Sequence, residues 1–246
     1  MLVDAGPDHS VVYELGDVLP PWNKTLEYAM VSHEHADHVN GFFEFEGAYT
    51  VERWLFSDHT QESDAARVFH NAMEQLGGQQ QRVRLGDSIQ LAPEAQLQIL
   101  NPTNAVHDDL NEDSVVAWLQ FADFSFLLMG DAYTENEQEI MTQAAHDGRS
   151  LDVDVLKAGH HGSKTSTSPE WLAATHPEIV LISAGVDNTF GHPHYRVIKD
   201  IQNSGATAFQ TNRDGRIVCL SDGEDYECTP ARSSAFQILS ALGLVP

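Results

Sequence analysis

Three imidazoles and a carboxylate fall within six residues, in the pattern His-x-His-x-Asp-His, and no other stretch constrains the fold as strongly. The pattern directly follows an apolar run at 28–31, which is short and therefore indicates a buried strand rather than a helix. Alternate residues of an extended segment point the same way, so His33, His35 and Asp37 are expected to converge. One metal ion is predicted on His33 and His35. A second is predicted on Asp37 and His38, which opens the next turn.

Imidazole and carboxylate ligands suit zinc, and also manganese or iron. The ordinary interpretation of a loop histidine is a solvated side chain, and the chain has 13 histidines. The spacing of the ligands, rather than the number of histidines, favours metal binding. Glu34 and Ala36 alternate to the opposite side of the segment, so they are expected to carry no chemistry.

The length of 246 residues permits one large α/β domain, and 41% hydrophobic residues indicate a globular chain. No apolar run approaches the length of a membrane span, and the start at Met1 lacks the basic and apolar regions of a signal peptide. A cytoplasmic location is therefore the default expectation. Cys219 and Cys228 are expected to be free thiols, with a disulfide across a hairpin as the alternative.

The charge balance argues against a general nucleic-acid binder. Asp and Glu number 37 against 13 Lys and Arg, which gives a formal net charge of −24. Such acidity repels polyanions at long range and keeps a chain soluble. The alternative interpretation is a solvated acidic surface adapted to high salt, where screening shortens the repulsion.

A carboxylate follows a second buried strand. The run at 124–129 is Phe-Ser-Phe-Leu-Leu-Met, and it ends in Gly130-Asp131. A buried carboxylate needs a partner, so Asp131 is predicted to bridge two cations. The alternative is a cap for a helix predicted at 133–145.

Two more histidine loops also follow predicted strands. The strand at 153–157 leads to His160 and His161, and the glycines on either side allow a tight turn around them. The loop at 184–194 follows the next strand and carries His192. Each of these loops follows the carboxyl end of a strand, which predicts a single active edge.

The remaining pattern alternates between strands and helices, without repeats or linkers. Asp4, at a strand end beside a glycine, is either a turn-former or a residue that orients a metal-bound histidine. The polar segment 107–113 is predicted to be a loop. Strands are further predicted at 2–4, 11–13, 52–57, around 82 and 89, and at 97–100, 114–120, 179–183 and 207–210, with helices at 60–76, 168–174, 195–203 and 233–246.

The whole constellation resembles the metallo-β-lactamase superfamily. The resemblance rests on strand-borne Asp4, the His-x-His-x-Asp-His stretch, Gly130-Asp131 and His160-His161, and it covers nearly the whole chain. It implies an α/β fold, the αββα four-layer sandwich, in which two mixed β-sheets are flanked by helices. It also implies one hydrolase domain over 1–246, with the family's N-terminal strands expected to be missing.

Further motifs are similar to the metallo-β-lactamase-like domain of ComEC-type competence DNA-uptake proteins. They are Asn111-x-x-Ser114, Val155-Leu156-Lys157-x-x-His160-His161-Gly162-Ser163, and Gly191-His192-Pro193. This resemblance implies a phosphodiesterase or nuclease that acts on DNA. It also implies association with a competence-type membrane channel and work outside the cytoplasmic membrane.

The resemblance implies two divalent metal ions, zinc or manganese, which would lower the pKa of a bridging water toward about 7. Asp37 and Asp131 would orient that water, and His160 or His161 would complete the second metal. His192 would stabilise the phosphate or protonate the leaving oxygen. Donors that would hold the substrate, unless they form a solvated turn, are Ser163, Lys164 and Asn111.

Two departures from the family pattern matter. Many members supply a third histidine to the first metal from an intermediate loop, where this chain offers Asn111, Glu112, Asp113 or His107. His35 stands where flavodiiron members have glutamate, which favours hydrolysis over redox chemistry. The alternative functions are a small-molecule hydrolase, acting on a lactone, thioester or β-lactam, and a non-catalytic metal-binding domain.

Overall fold

The computed structural model describes residues 1–59, 62–103 and 107–230, and the fold divides into two units, 1–83 and 84–230. Each unit has its own sheet, helices and apolar core. The chain is therefore of the α/β class, with sheets flanked by helices. No helix within the described residues is both long enough and apolar enough to cross a lipid bilayer.

Unit 1 is built on a four-stranded sheet of order β1-β3-β5-β6, in which every described pair is parallel. Strand β3 lies inside this sheet, and all three of its side chains are fully buried. A continuous apolar run is typical of a parallel strand covered on both faces. The elements are β1 (Leu2–Val3), α1 (Ser10–Val18), β2 (Thr25–Leu26), β3 (Ala29–Val31), α2 (Ala36–Val39), a 3₁₀ helix (Asn40–Phe45), β4 (Thr50–Val51), β5 (Arg53–Ser57), α3 (Asp64–Leu76) and β6 (Gln79–Val83).

An aromatic cluster fills the core of unit 1. The ring centroids of Phe42 and Trp54 are 5.0 Å apart, and those of Trp54 and Phe69 are 5.8 Å apart. The indole N–H of Trp54 donates to the carbonyl of Gly77 at 2.7 Å, so its polar atom is satisfied. Helix α3 begins where the hydroxyl of Ser63 accepts from the backbone N–H of Ala66. This core fixes the 3₁₀ helix that follows the histidine stretch.

Unit 2 is built on a seven-stranded mixed sheet of order β13-β12-β11-β10-β9-β8-β7. Strands β10 to β13 are parallel, and β7 to β10 are antiparallel. The elements are β7 (Ser88–Ala92), β8 (Ala95–Asn101), β9 (Val116–Phe121), β10 (Phe124–Leu128), α4 (Thr134–Asp147), β11 (Val155–Lys157), a tight turn (Gly159–Gly162), α5 (Pro169–Thr175), β12 (Ile179–Ile182), α6 (Tyr195–Ser204), β13 (Thr207–Gln210), α7 (Thr211–Asp214), β14 (Ile217–Ser221) and β15 (Tyr226–Pro230).

The expectation of free thiols is wrong. Strands β14 and β15 form an antiparallel hairpin whose register places Cys219 directly opposite Cys228, with their Cα atoms 4.0 Å apart. The two residues form a disulfide. The bond thus joins the two strands of the hairpin, and buried Cys228 packs in a small core with Phe124 and Val155 of the large sheet.

The predicted strand at 11–13 is also wrong, because these residues lie in helix α1. Val11, Val12, Leu15 and Leu19 all pack on the core of unit 1. That spacing follows the helical period, which a run of three residues is too short to distinguish from a strand. The helix predicted at 60–76 begins at Asp64, while residues 60 and 61 and the tail helix predicted at 233–246 lie outside the described residues.

Candidate metal centre

The first histidine cluster, defined as Asp4, Ser32, His33, His35, Asp37 and His38, lies in unit 1 where strand β3 ends. His33 and His38 are each 2% exposed, and His35 is half-buried. The backbone of His35 is still extended, and helix α2 starts directly after it. The change from strand to helix turns the side chain of His38 back toward His33, and their ring centroids are 4.2 Å apart.

Ring nitrogens converge inside this cluster. Nε2 of His33 lies 3.0 Å from Nδ1 of His35. Two imidazole nitrogens this close either share one proton or face one cation. The donor set is therefore suited to a divalent metal that accepts imidazole ligands.

Asp4 orients His38. A carboxylate oxygen of Asp4 lies 2.8 Å from Nδ1 of His38, and the other accepts the backbone N–H of Ser32 at 2.7 Å. Burial works to raise the pKa of Asp4, but the charge and hydrogen bond of His38 outweigh it, so this pKa is lowered. Because Nδ1 of His38 faces a carboxylate, Nδ1 carries the proton and Nε2 is left to bind a metal.

Asp37 does not share an extended segment with His33 and His35, because it lies in the first turn of α2. Its side chain is 52% exposed, and a carboxylate oxygen lies 3.9 Å from Nε2 of His38. The helix thus brings Asp37 beside His38 rather than beside His33.

Glu34 was expected to carry no chemistry, yet its side chain is only 3% exposed. Its Oε1 lies 3.0 Å from Nε2 of His70 on helix α3. Burial raises the pKa of Glu34 to about 7, although the nearby Arg82 acts to lower it. Alternation along the segment could not show that the side opposite the histidines is also buried.

The second histidine cluster, defined as Asp131, His160, His161 and His192, lies in unit 2. Asp131 follows strand β10 and is 3% exposed, and its backbone N–H donates to the hydroxyl of Ser114 at 3.1 Å. His160 and His161 have φ values of 45° and 54°, in the left-handed region that non-glycine residues rarely occupy. Such backbone strain is typical of functional turns.

Glycines make this turn possible. A Cβ atom on Gly159 would lie 2.9 Å from Cβ of Ser166, and one on Gly162 would lie 2.7 Å from Cβ of Pro193. Gly162 also has a φ of +77°. The prediction of a tight turn between glycines therefore has a specific basis, which is close packing on the loops at 166 and 193.

Both imidazoles of the turn face Asp131. Nε2 of His161 lies 3.3 Å from Oδ2 of Asp131, and Nε2 of His160 lies 3.9 Å from the same oxygen. Nδ1 of His161 lies 2.8 Å from the carbonyl of Ser183, which only accepts, so Nδ1 carries the proton. Nδ1 of His160 lies 3.0 Å from the hydroxyl of Thr165. The second cluster thus offers imidazole Nε2 atoms and a buried carboxylate, a donor set that fits a divalent metal.

Asp131 is not the cap of the helix that follows. Helix α4 begins after Tyr133, whose backbone N–H donates to the side chain of Asn136 at 3.0 Å. The carboxylate of Asp131 is left directed at the two imidazoles.

His192 joins the second cluster by ring contacts. Its ring centroid lies 5.5 Å from that of His160 and 6.4 Å from that of His161. Burial lowers the pKa of His192, and the neighbouring charges of His160 and His161 lower it further. The charge of Asp131 acts in the opposite direction, to raise this pKa.

The residues predicted to hold a substrate differ in exposure. Lys164 is exposed, whereas Ser163 is buried and its hydroxyl accepts from the hydroxyl of Thr165 at 3.0 Å. Asn111 is buried, and its side-chain nitrogen donates to the hydroxyl of Tyr133 at 2.7 Å. Of the three, Lys164 alone presents its side chain to solvent.

Tyr133 was not predicted as a site residue. Its ring stacks on that of His160 with centroids 5.5 Å apart, and its hydroxyl donates to Asp109 at 2.8 Å. Burial raises the pKa of Tyr133 to about 12, with the charge of Asp109 acting in the same direction. Tyr133 links the loop at 107–114 to the histidine turn, and its place just after Gly130-Asp131 was the available sequence signal.

His107, in the loop at 107–113, is held by a carboxylate. Nδ1 of His107 lies 2.7 Å from the carboxylate of Asp113, which is buried. Burial works to lower the pKa of His107, but the hydrogen bond and charge of Asp113 outweigh it and raise this pKa. His107 and Asp113 thus form an ion pair within the loop.

Comparison with known proteins identifies relatives of this chain. The family described as Metallo-beta-lactamase superfamily matches residues 1–186. ComE operon protein 3 of Bacillus subtilis (strain 168) is 30% identical over 195 residues, which is 79% of this chain and 24% of that protein. Recombination protein 2 of Haemophilus influenzae is 30% identical over 193 residues, 78% of this chain and 22% of that protein. Competence protein ComA of Neisseria gonorrhoeae is 30% identical over 120 residues, 49% of this chain and 17% of that protein.

The chain thus spans about a quarter or less of these curated relatives. They confirm the predicted resemblance to ComEC-type competence proteins.

Among solved structures, the metallo-beta-lactamase fold protein YhfI from Bacillus subtilis matches with a TM-score of 0.54 and 13% identity, over 85% of this chain and 82% of that one. CmlA, a diiron β-hydroxylase from Streptomyces venezuelae, matches with a TM-score of 0.53 and 17% identity, over 78% of this chain and 44% of that one. These matches confirm the predicted fold.

Proposed function

Because this chain belongs to the metallo-β-lactamase superfamily and is a metal-dependent hydrolase, we propose that its reaction is the cleavage of phosphodiester bonds in DNA. The observation that carries the proposal is the convergence of His160 and His161 on Asp131 in the second histidine cluster. Relatives with competence and recombination names support DNA as the substrate. The proposal treats residues 1–246 as one hydrolase domain.

Two divalent ions, zinc or manganese, are part of the proposal. His33 and His35 are assigned to one ion, and Asp37 and His38 to the other. Asp131 is assigned to both ions, and His161 or His160 completes the second. When bound, such ions lower the pKa of a coordinated water toward about 7 and neutralise charge on a phosphate.

Other residues of the chain orient the imidazole rings that are proposed to bind the ions. Asp4 holds the ring of His38, and the carbonyl of Ser183 holds the ring of His161. Partners of this kind fix the tautomer and the ring direction of metal-binding histidines. His192 is the proposed group that contacts the phosphate or protonates the leaving oxygen, since it lies beside both histidines of the turn.

Substrate contacts outside the metal ligands are proposed for Lys164 and, through buried hydrogen bonds, for Ser163 and Asn111. Lys164 is exposed and lies two residues after the end of the histidine turn at Gly162. The net charge of −24 would repel DNA at long range. Bound cations are the largest local charges in such a site, so they would reverse the field where the phosphate binds.

The acidity also favours a second candidate function, hydrolysis of a small ester, thioester or lactam. A small substrate does not require a positively charged surface. Since the chain has 37 acidic residues and only 13 basic ones, this candidate is tested beside the first.

We also propose that the domain works outside the cytoplasmic membrane, in association with a competence-type membrane channel. The Cys219–Cys228 disulfide supports this placement, because disulfides persist in oxidising compartments and are rare in the cytosol. Trapping the thiols of the whole cell with an alkylating reagent would show whether the pair is oxidised. A reduced pair in living cells would contradict the placement.

The test of the proposed reaction starts from metal-stripped protein. Manganese, zinc or magnesium is added back, and single- and double-stranded DNA is offered beside a panel of lactone, thioester and β-lactam substrates, at low and high salt. We expect metal-dependent cleavage of DNA, with about two equivalents of metal retained per chain.

The matched variants are Asp131→Ala and Asp123→Ala, which is an exposed turn residue. The first should lower DNA cleavage by more than about 100-fold, since a ligand contributes more than the residues that orient it. The second should leave cleavage unchanged. Turnover of the small substrates alone would overturn the assignment of DNA as the substrate.

A further inference from the structure

Large apolar side chains are unusually exposed beside the second histidine cluster. Val186, Phe190 and Tyr195 are each exposed by about three quarters, at 76%, 75% and 75%. All three lie within ten residues of chain, on the loop between β12 and α6 and at the start of α6. A concentration of exposed apolar surface on a soluble fold is a marker of binding.

The ring of Phe190 belongs to a series that runs to Asp131. The ring of Phe190 is near-parallel to that of His192, with centroids 5.9 Å apart and planes 23° apart. The ring of His192 is in turn near-parallel to that of His161, with centroids 6.4 Å apart and planes 21° apart. Nε2 of His161 then lies 3.3 Å from Asp131. We call Phe190, His192 and His161 the ring column; it connects an exposed aromatic face to the proposed catalytic carboxylate.

The loop that presents Phe190 is anchored at both ends. The side-chain nitrogen of Asn188 donates to the carbonyl of Gly185 at 2.7 Å and to that of His192 at 2.8 Å. The backbone N–H of His192 donates back to Asn188 at 2.9 Å, and that of His194 donates to the carbonyl of Gly162 at 2.9 Å. These bonds fix the backbone on both sides of Phe190, so a ligand that stacks on its ring finds a prepared surface.

We propose that Phe190, with Tyr195 as a second position, is a stacking subsite for the unpaired bases of single-stranded nucleic acid. The proposal rests on the proposed function and names the part of the substrate that lies next to the cleaved phosphate. Every base has a π-face, so an exposed aromatic ring binds single strands without regard to sequence. The bases of a duplex are stacked on one another, so the subsite selects single strands.

The charge of the chain favours stacking over phosphate contacts as a source of affinity for a nucleic acid. Nucleic-acid binders ordinarily obtain their affinity from Lys and Arg contacts with phosphates. Here Arg196 is engaged with Asp200 at 3.5 Å, and the ammonium of Lys199 lies 5.8 Å from the centre of the Tyr195 ring. Stacking does not depend on a positive surface, so it supplies affinity that a chain of net charge −24 obtains poorly from electrostatics.

The test compares two single strands of equal length and charge, oligo-thymidylate and an oligomer of abasic deoxyribose phosphate. Steady-state KM and kcat are measured for both strands with the metal-loaded protein, and affinity for the oligo-thymidylate is measured by fluorescence anisotropy. The variants are Phe190→Ala, Phe190→Tyr, which keeps the ring, and Tyr13→Ala, which removes a ring of similar exposure, 70%, on helix α1.

We expect Phe190→Ala to raise KM for the thymidylate strand about tenfold more than for the abasic strand. Phe190→Tyr should keep the KM of the thymidylate strand near that of the unaltered protein. Tyr13→Ala should leave the KM of both strands unchanged. An equal effect of Phe190→Ala on both strands would overturn the subsite, because it would show that Phe190 acts only by supporting His192.

Failure of the proposed function can be told apart from failure of the stacking subsite. If the unaltered protein cleaves neither strand, the anisotropy measurement still tests the subsite. Weaker thymidylate binding by Phe190→Ala supports the subsite, and equal binding overturns it. A loss of binding to phosphatidylcholine vesicles in Phe190→Ala, with DNA affinity unchanged, would also overturn it and identify the exposed apolar side chains as a membrane contact.

Discussion

Nδ1 of His38 lies 2.8 Å from the carboxylate of Asp4, although 34 residues separate them in the chain. The contact exists because β1 pairs with β3 in parallel, so that the ends of both strands meet at one edge of the sheet. The backbone N–H of Ala5 also donates to the carbonyl of His38 at 2.8 Å, which holds the two segments together at a second point.

Asp4→Asn is expected to lower the affinity of the protein for zinc or manganese about 10- to 100-fold, because the ring of His38 loses the partner that fixes its tautomer. Competition with a chromogenic chelator measures this affinity. Asp8→Asn is the matched control, since the Asp8 side chain is exposed and accepts the backbone N–H of Ser10 at 2.9 Å. Equal affinities for the two variants would contradict the orienting role of Asp4.

Glu137 is expected to make stability depend on pH. Its carboxylate is buried and accepts the backbone N–H groups of Thr167 and Ser168. Burial raises its pKa from an ordinary 4.5 to about 7, although the bonds from Ser168 and Thr167 act to lower it. Between these values the folded state keeps the proton of Glu137 that the unfolded state has lost, so the contribution of Glu137 to stability is greatest below pH 4.5 and falls as pH rises toward 7.

The free energy of unfolding, measured by urea titration at several pH values, should lose about 3 kcal/mol across this window from Glu137 alone. Glu137→Gln should remove that part of the slope, while Glu135→Gln, an exposed neighbour on α4, should retain it. Identical slopes for all three proteins would show that Glu137 titrates normally.

Gly41→Ala is expected to lower the free energy of unfolding by about 1–3 kcal/mol. An added Cβ would lie 2.1 Å from the carbonyl oxygen of Ala5, so the backbone at one of the two positions must shift. Gly16→Ala is the contrasting substitution. Its added Cβ meets only the hydroxyl of Tyr49, at 3.9 Å, and alanine inside helix α1 should stabilise by up to about 1 kcal/mol. Thermal melting of both variants measures the difference, and a neutral Gly41→Ala would contradict the close approach.

The Cys219–Cys228 bond closes a loop of sequence separation 9. Removing it with the double substitution Cys219→Ala and Cys228→Ala should lower the free energy of unfolding by about 2–3 kcal/mol. When the unaltered protein is unfolded with urea in the presence of a reducing agent, its unfolding midpoint should approach that of the double variant. Two thiols detected in unreduced, denatured protein would show that the bond is not formed.

The sequence predicts the fold where several signals agree. Buried strands such as β3, β10 and β11 are apolar runs that end in chemically specific residues, so pattern and motif identify the same positions. Helix α1 was mistaken for a strand because the valines at 11 and 12 favour strands locally, while tertiary packing of Leu15 and Leu19 selects the helix.

The candidate site likewise has a part that the sequence predicts and a part that it does not. Apart from Ser32, the residues of the two histidine clusters were named from the sequence, because their types and spacing are those that metal chemistry requires. The contacts of Glu34 with His70, and of Tyr133 with His160 and Asp109, were not predicted. Each joins residues that are distant in sequence, so no periodic pattern within one element records it.

The hydroxyl of Ser32 is shared by three side chains of the first histidine cluster. It donates to Asp4 at 2.8 Å, and it lies 3.1 Å from Nδ1 of His33 and 3.3 Å from Nδ1 of His38. Because the Ser32 proton is directed at the carboxylate, the oxygen accepts from His33, whose Nε2 is then unprotonated. Ser32 thus sets the tautomer of His33, and Asp4 sets the same tautomer in His38, before any ion arrives. Uptake of an ion on these two Nε2 atoms would therefore release no proton from either of them.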